Sequence, residues 1–272
     1  MTFDMNRVWL QAIAIVSANW QYLALIGGIF FLLPNLLVVV VFPEVFSALQ
    51  APAADTDELI ARMTPLVPAL LAIGLGTLFF STIGYAAMIL LLGHARPTVG
   101  EALGAALRAL PTLIGCVLVA IGGYLAFALV GTLAMALLAL GLSFVIGQAG
   151  ASMVGILLLV AVLVWLAVRF VLVTPVVMLE GVSNPLTAFT RSWQLTRSCH
   201  RRLLGFLALL LVPYMVISGV VSMVAGLPGS MFFNVFANGL LSLAFTMLLT
   251  AILVALHQQL AGGMPQSAAE FE

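Results

Sequence analysis

The sequence contains no lysine: its nine basic residues other than histidine are all arginine. Schiff-base chemistry and a phosphate-loop lysine are thereby excluded. Charge of either sign is scarce, 7% of residues, where a soluble domain carries about a quarter. So few charges cannot cover a water-facing surface, and most of the exterior must face hydrocarbon. Formal net charge is zero, so no overall field draws nucleic acid. Cysteine is nearly absent. Cys116 falls in an apolar run and Cys199 beside an arginine cluster, and no disulfide is expected between them. His94, His200 and His257 are scattered without zinc-ligand spacing, so neither a metal nor another cofactor is expected.

What remains is apolar: 64% of residues are hydrophobic and the mean hydropathy is +1.27. A bilayer core needs about 20 apolar residues per helix. Spans are expected near 20–42, 66–92, 111–141, 152–178, 203–227 and 234–258. The expected fold is all-α, a polytopic transmembrane helical bundle of six spans. The run from Leu110 to Gly147 exceeds one span, which leaves open one long tilted helix or a helix plus a re-entrant piece. The apolar run after Arg7 continues to Phe42, too long for a signal-peptide core, so it is expected to stay as the first span. Pro34, Pro68, Pro175 and Pro213 fall in or at the ends of spans, where proline is tolerated and kinks the helix.

Arginine placement orients the chain. Segment 43–65 holds Glu44, Asp55, Asp57 and Glu58 against Arg62, and the turns near 142–151 and 228–233 carry no charge. The opposite ends of the spans hold Arg7, Arg96, Arg108, Arg191, Arg197, Arg201 and Arg202. The arginine side is expected to be cytoplasmic, with both termini inside.

The pattern also repeats. A single transmembrane domain, 1–264, divides into units near 4–93, 98–178 and 184–260, each a short amphipathic helix followed by a transmembrane hairpin; 265–272 is a short tail. Thr98-x-x-Glu101 is a capping box at the start of the second unit, whose first helix presents Leu103, Leu107 and Leu110 on one face. Asn184-Pro185 opens the third unit with a good N-cap and a proline at the first helical position. There Leu186, Phe189 and Trp193 share a face, with Arg191, Gln194, Arg201 and Arg202 largely on another. Such helices are expected to lie at the headgroup boundary. Arginines of this kind commonly serve only as topology signals, and that plain role stands beside lipid recognition.

Arg169-Phe170, Pro175, Glu180-Gly181, Asn184-Pro185, Ala188, Arg191-Ser192-Trp193 and Leu195-Thr196 together resemble the membrane domain attached to some bacterial glycerophosphodiester phosphodiesterases, and its stand-alone relatives. The resemblance centres on residues 165–210, and its distinctive parts are the Glu-Gly and Arg-Ser-Trp clusters. It implies a bacterial inner membrane. In the fused proteins the chemistry belongs to a separate soluble barrel, for which this chain has no long soluble stretch. No enzymatic activity is therefore carried over.

The candidate sites follow. Arg169 is the charge inside a span, and two explanations compete: a functional role, or snorkelling of the guanidinium to the nearby interface. Arg169, Arg191, Arg197, Arg201, Arg202 and Trp193 are candidates for binding lipid headgroups. Glu180 and Asn184 are structural: Glu180 is about 16 Å along the helix from Arg169, and is expected to pair instead with Arg191. Asn35, Tyr85, Asn234 and Asn238 are candidates for a polar cavity, although such asparagines more often bond a neighbouring helix. Ser218, Ser222 and Gly226 form a ladder of small residues suited to close packing.

No catalytic constellation can be assembled, since no Asp or Glu falls mid-span and the histidines lie apart from the aspartates. The expected function is a non-enzymatic membrane protein whose partners are membrane lipids, with other membrane proteins or a second copy beside them. The alternative is a carrier component for a lipid or small molecule, which requires a hydrated cavity lined by groups such as Asn35, Tyr85, Arg169 and Thr174.

Overall fold

The computed structural model describes residues 4–50, 55–93, 97–227 and 231–262; His94, Arg96 and the tail 265–272 lie outside them. Among the described residues every regular element is helical. Six helical stretches are long and apolar enough to cross a membrane: Met5–Val41, Thr56–Leu92, Val99–Leu133, Met153–Glu180, His200–Gly226 and Met231–Ala261. The chain is an all-α, multi-span membrane protein.

The first stretch joins helix α1 (Met5–Gly27), a π-helical turn (Gly28–Leu32) and α2 (Leu33–Val41). Pro34 has no N–H for the carbonyl four residues back, and the π turn just before it absorbs the irregularity. Two short helices follow, α3 (Pro43–Gln50) and α4 (Thr56–Met63). Asp55 caps α4, accepting from the Glu58 amide at 2.8 Å, and Glu58 pairs with Arg62 one turn on. Helix α5 (Val67–Leu92) packs tightly on the π turn: a Cβ at Gly84 would stand 2.5 Å from the Phe30 Cβ.

Helix α6 (Val99–Phe170) opens with the capping box. The Thr98 amide donates to Glu101 Oε2 at 2.8 Å and the Glu101 amide to Thr98 Oγ1 at 3.4 Å. The helix continues through Pro111 and breaks at Gly147, whose φ of +74° and ψ of 166° suit glycine alone. The excess length of 110–147 is thus helix up to a glycine turn. The arms on either side of the break meet, since a Cβ at Gly131 would touch Leu159 Cδ1 at 3.4 Å.

The remaining helices are α7 (Val173–Glu180), α8 (Pro185–Thr196), α9 (His200–Gly226) and α10 (Met231–Ala261). The described residues form two compact units, one from Ala109–Leu207 with 257–262, the other from Met5–Arg108 and Ala208–Leu256. In the second, Val8, Ala12, Leu23, Ile26, Met88 and Ile89 are fully enclosed, as are Ile252, Val254 and Leu256.

Two expectations about the leading helices change. The stretches before the first and third spans are continuous with those spans, because residues 5–26 contain no Gly or Pro and Pro111 does not end α6. Only α8 stands as a separate helix, ended by the turn at 197–199. The buried stripe at the start of α6 is Ala102 and Ala106, while Leu107 is exposed. A small alanine face fits against a neighbour more closely than the branched leucines do.

Candidate functional site

Pro175 determines where the site begins. Lacking an N–H, it cannot bond the carbonyl of Val171, and the helix breaks over Val171 and Leu172 before α7 resumes. At this break the Arg169 carbonyl accepts from Ser192 Oγ at 2.8 Å and Thr196 Oγ1 at 3.3 Å. Both hydroxyls belong to α8 and are fully buried. Helix α7 ends at Gly181, whose φ of +70° provides the left-handed cap.

Helix α8 is docked along its whole length. Asn184 Oδ1 caps it, accepting from the Leu186 amide at 3.0 Å. Its start lies on α6: Thr112 Oγ1 donates to the Ser183 carbonyl at 3.2 Å, and a Cβ at Gly115 would stand 2.7 Å from Pro185 Cγ. Its middle is held by Glu180, whose Oε2 accepts from Arg191 Nε at 2.9 Å. The other oxygen, Oε1, lies 3.0 Å from Nε2 of His257, a buried side chain near the end of α10. Sequence reasoning missed His257, treating it as an ordinary exit from the last span. No local signal marks a partner 77 residues away.

The faces expected of α8 are revised accordingly. Its buried stripe is Ala188, Ser192, Leu195 and Thr196, while Leu186 is 62% exposed. Phe189 and Trp193 are half-buried and held by ring contacts. Phe189 meets the Phe170 ring at 5.0 Å, and Trp193 packs edge-to-face on Trp165 at 5.3 Å. Small residues let α8 approach the helix break, and the aromatic rings close over it.

The two tryptophan rings pack against Arg169. Its Cζ lies 4.7 Å from the centroid of Trp193 and 5.3 Å from that of Trp165. The side chain is only 9% exposed, and Nε and Nη1 are buried without a hydrogen-bond partner. Snorkelling is therefore not what Arg169 does here. Each tryptophan face offsets part of the lost hydration, by about 0.5–2 kcal/mol, which is less than burying an unpaired charge costs.

Arg197, Arg201 and Arg202 are exposed. Cys199 is buried between α8 and α9, and desolvation pushes its thiol pKa up, with the Arg169 charge opposing more weakly. Among the described residues no three His, Cys, Asp or Glu side chains gather as a metal site would need.

The cavity candidates do not come together. Asn35 is exposed and donates to its own helix at the Phe31 carbonyl, 2.7 Å away. Tyr85 shares a hydrogen bond with Thr250. Asn234 and Asn238 join the small-residue ladder: Ser218 and Ser222 donate to Asn238 Oδ1 at 3.3 and 3.1 Å, and Asn234 Nδ2 donates to the Ser222 carbonyl at 2.9 Å. This network ties α9 to α10 and uses the groups a cavity would need. Comparison with known proteins finds no matching family model, no matching curated protein and no matching solved structure.

Proposed function

We propose that this protein is a non-enzymatic component of a bacterial inner membrane, with both termini in the cytoplasm, that engages anionic lipid headgroups through exposed arginines. Other membrane proteins, or a second copy, would meet the same surface. One observation carries the reading. Residues 109–207 hold five arginines and a single carboxylate, Glu180, which Arg191 and His257 already occupy. Arg197, Arg201 and Arg202 are left exposed, without an acidic partner among the described residues. Each arginine beside an anionic leaflet contributes about 1 kcal/mol of attraction. The resemblance to a phosphodiesterase membrane domain supports the same reading, a membrane module whose chemistry lies elsewhere. The carrier reading has less support, because its candidate groups are engaged in helix packing.

The test is lipid retention. Replacing Arg197, Arg201 and Arg202 together with glutamine should lower the anionic lipid that co-purifies with the protein, while neutral lipid is unchanged. Equal anionic lipid in wild type and variant would sink this reading.

A further inference from the structure

Arg169 is a cation with no counter-ion among the described residues. It lies within the apolar stretch Met153–Glu180, is 9% exposed, and has two nitrogens buried without a partner. Glu180, the one carboxylate of residues 109–207, is committed to Arg191 and His257. The two tryptophans stabilise the guanidinium from one side by cation–π contact and leave Nε and Nη1 unmet.

A second orphan lies on the same ring. His200 meets Trp165 edge-on at 5.9 Å, and its Nδ1 is also buried without a partner. His200 opens α9. The first bond of that helix runs from the Leu203 amide to the Cys199 carbonyl at 2.9 Å, so the His200, Arg201 and Arg202 amides precede the ladder. A helix N-terminus with free amides attracts anions, and here it adjoins two exposed arginines. Arg169 and His200 thus both lie on Trp165 with ring or guanidinium nitrogens lacking a partner, and a multi-oxygen anion is a group that could serve both. A phosphate ester offers acceptor oxygens in several directions, which suits guanidinium, imidazole and amide donors at once.

We propose that Arg169 and His200, gathered around the Trp165 ring, form the inner end of a phosphate-ester site whose outer end is the first turn of α9 with Arg201 and Arg202. This rests on the lipid-binding reading above and names the group bound. A phospholipid headgroup and a free phosphate ester present the same chemistry.

The test uses the full chain in uncharged detergent, with Trp9 and Trp20 replaced by phenylalanine so that emission reports Trp165 and Trp193. Phosphatidylglycerol and glycerol 3-phosphate are titrated separately. A saturable emission change is expected with at least one probe. A response to phosphatidylglycerol alone assigns the site to lipid, and an equal response to glycerol 3-phosphate assigns it to the free ester. Arg169→Met should raise the half-saturating concentration about tenfold or more, the effect of losing a charge-assisted hydrogen bond. His200→Phe keeps the ring contact, removes the donor, and should weaken binding in the same direction should Arg169→Met fail to fold. No saturable change with either probe, or an unchanged half-saturation in these variants, overturns the site. If anionic lipid still co-purifies and depends on Arg197, Arg201 and Arg202, the surface reading stands while this site falls. If wild type retains no anionic lipid, both fall.

Discussion

Nε2 of His257 lies 3.0 Å from Oε1 of Glu180, although 77 residues separate them. With Arg191 on the other oxygen, one carboxylate ties the ends of α7 and α10 to the middle of α8. The Glu180 and Arg191 side chains are 22% and 29% exposed, so the pair is shielded more than a surface ion pair and less than a core one.

Glu180→Gln keeps the shape of the side chain and removes its charge, and with it the ion pair to the half-buried Arg191. A loss of about 1–2 kcal/mol in unfolding free energy is expected, below the cost of breaking a fully buried pair. Denaturant unfolding in detergent micelles measures it. In a double-mutant cycle with Arg191→Gln, the two losses should fall short of adding. Strict additivity would show that the contact contributes nothing.

Glycine substitutions around the π turn should separate by what their new Cβ meets. Gly84→Ala forces a Cβ to 2.5 Å from the Phe30 Cβ, an atom fixed to its backbone. Gly27→Ala meets Leu243 Cδ1 and Met88 Cε, the ends of flexible chains. Gly28→Ala meets nothing within 4 Å. Gly84→Ala should cost about 1–3 kcal/mol, Gly27→Ala less, and Gly28→Ala close to nothing. Thermal unfolding of the three variants gives the order; a Gly28→Ala protein less stable than Gly84→Ala would refute the packing described for α5.

The reactivity of Cys199 should be shifted in pH. Burial raises its thiol pKa, so less thiolate is present at neutral pH than in a free cysteine. In a Cys116→Ser background, alkylation by iodoacetamide should be slow at neutral pH. Its rate should keep rising above the pH at which a free thiol levels off. A rate curve that coincides with free cysteine would contradict the buried placement between α8 and α9. Loss of the Arg169 charge removes the weaker opposing effect, so Arg169→Met should move the curve to still higher pH.

Much of this protein is legible residue by residue. The apolar runs, the capping box at Thr98 and Glu101 and the cap at Asn184 depend on transfer of nearby groups from water and on nearby backbone donors. Such energies are settled within a few turns of helix, so sequence by itself determined that there are six apolar spans, while their starts and the turn at Gly147 came from the structure. Tertiary structure decided the faces and the partners. Hydropathy marks Leu186 as buried and Ser192 as exposed, and the reverse holds, because α8 docks against a helix break whose carbonyl needs hydroxyl donors. The position of Arg169 against both Trp165 and Trp193, and the meeting of Glu180 with His257, arise only when separate helices pack. In a membrane the lone charge has no water to fall back on, so its neighbours in space, not in sequence, determine what it can do.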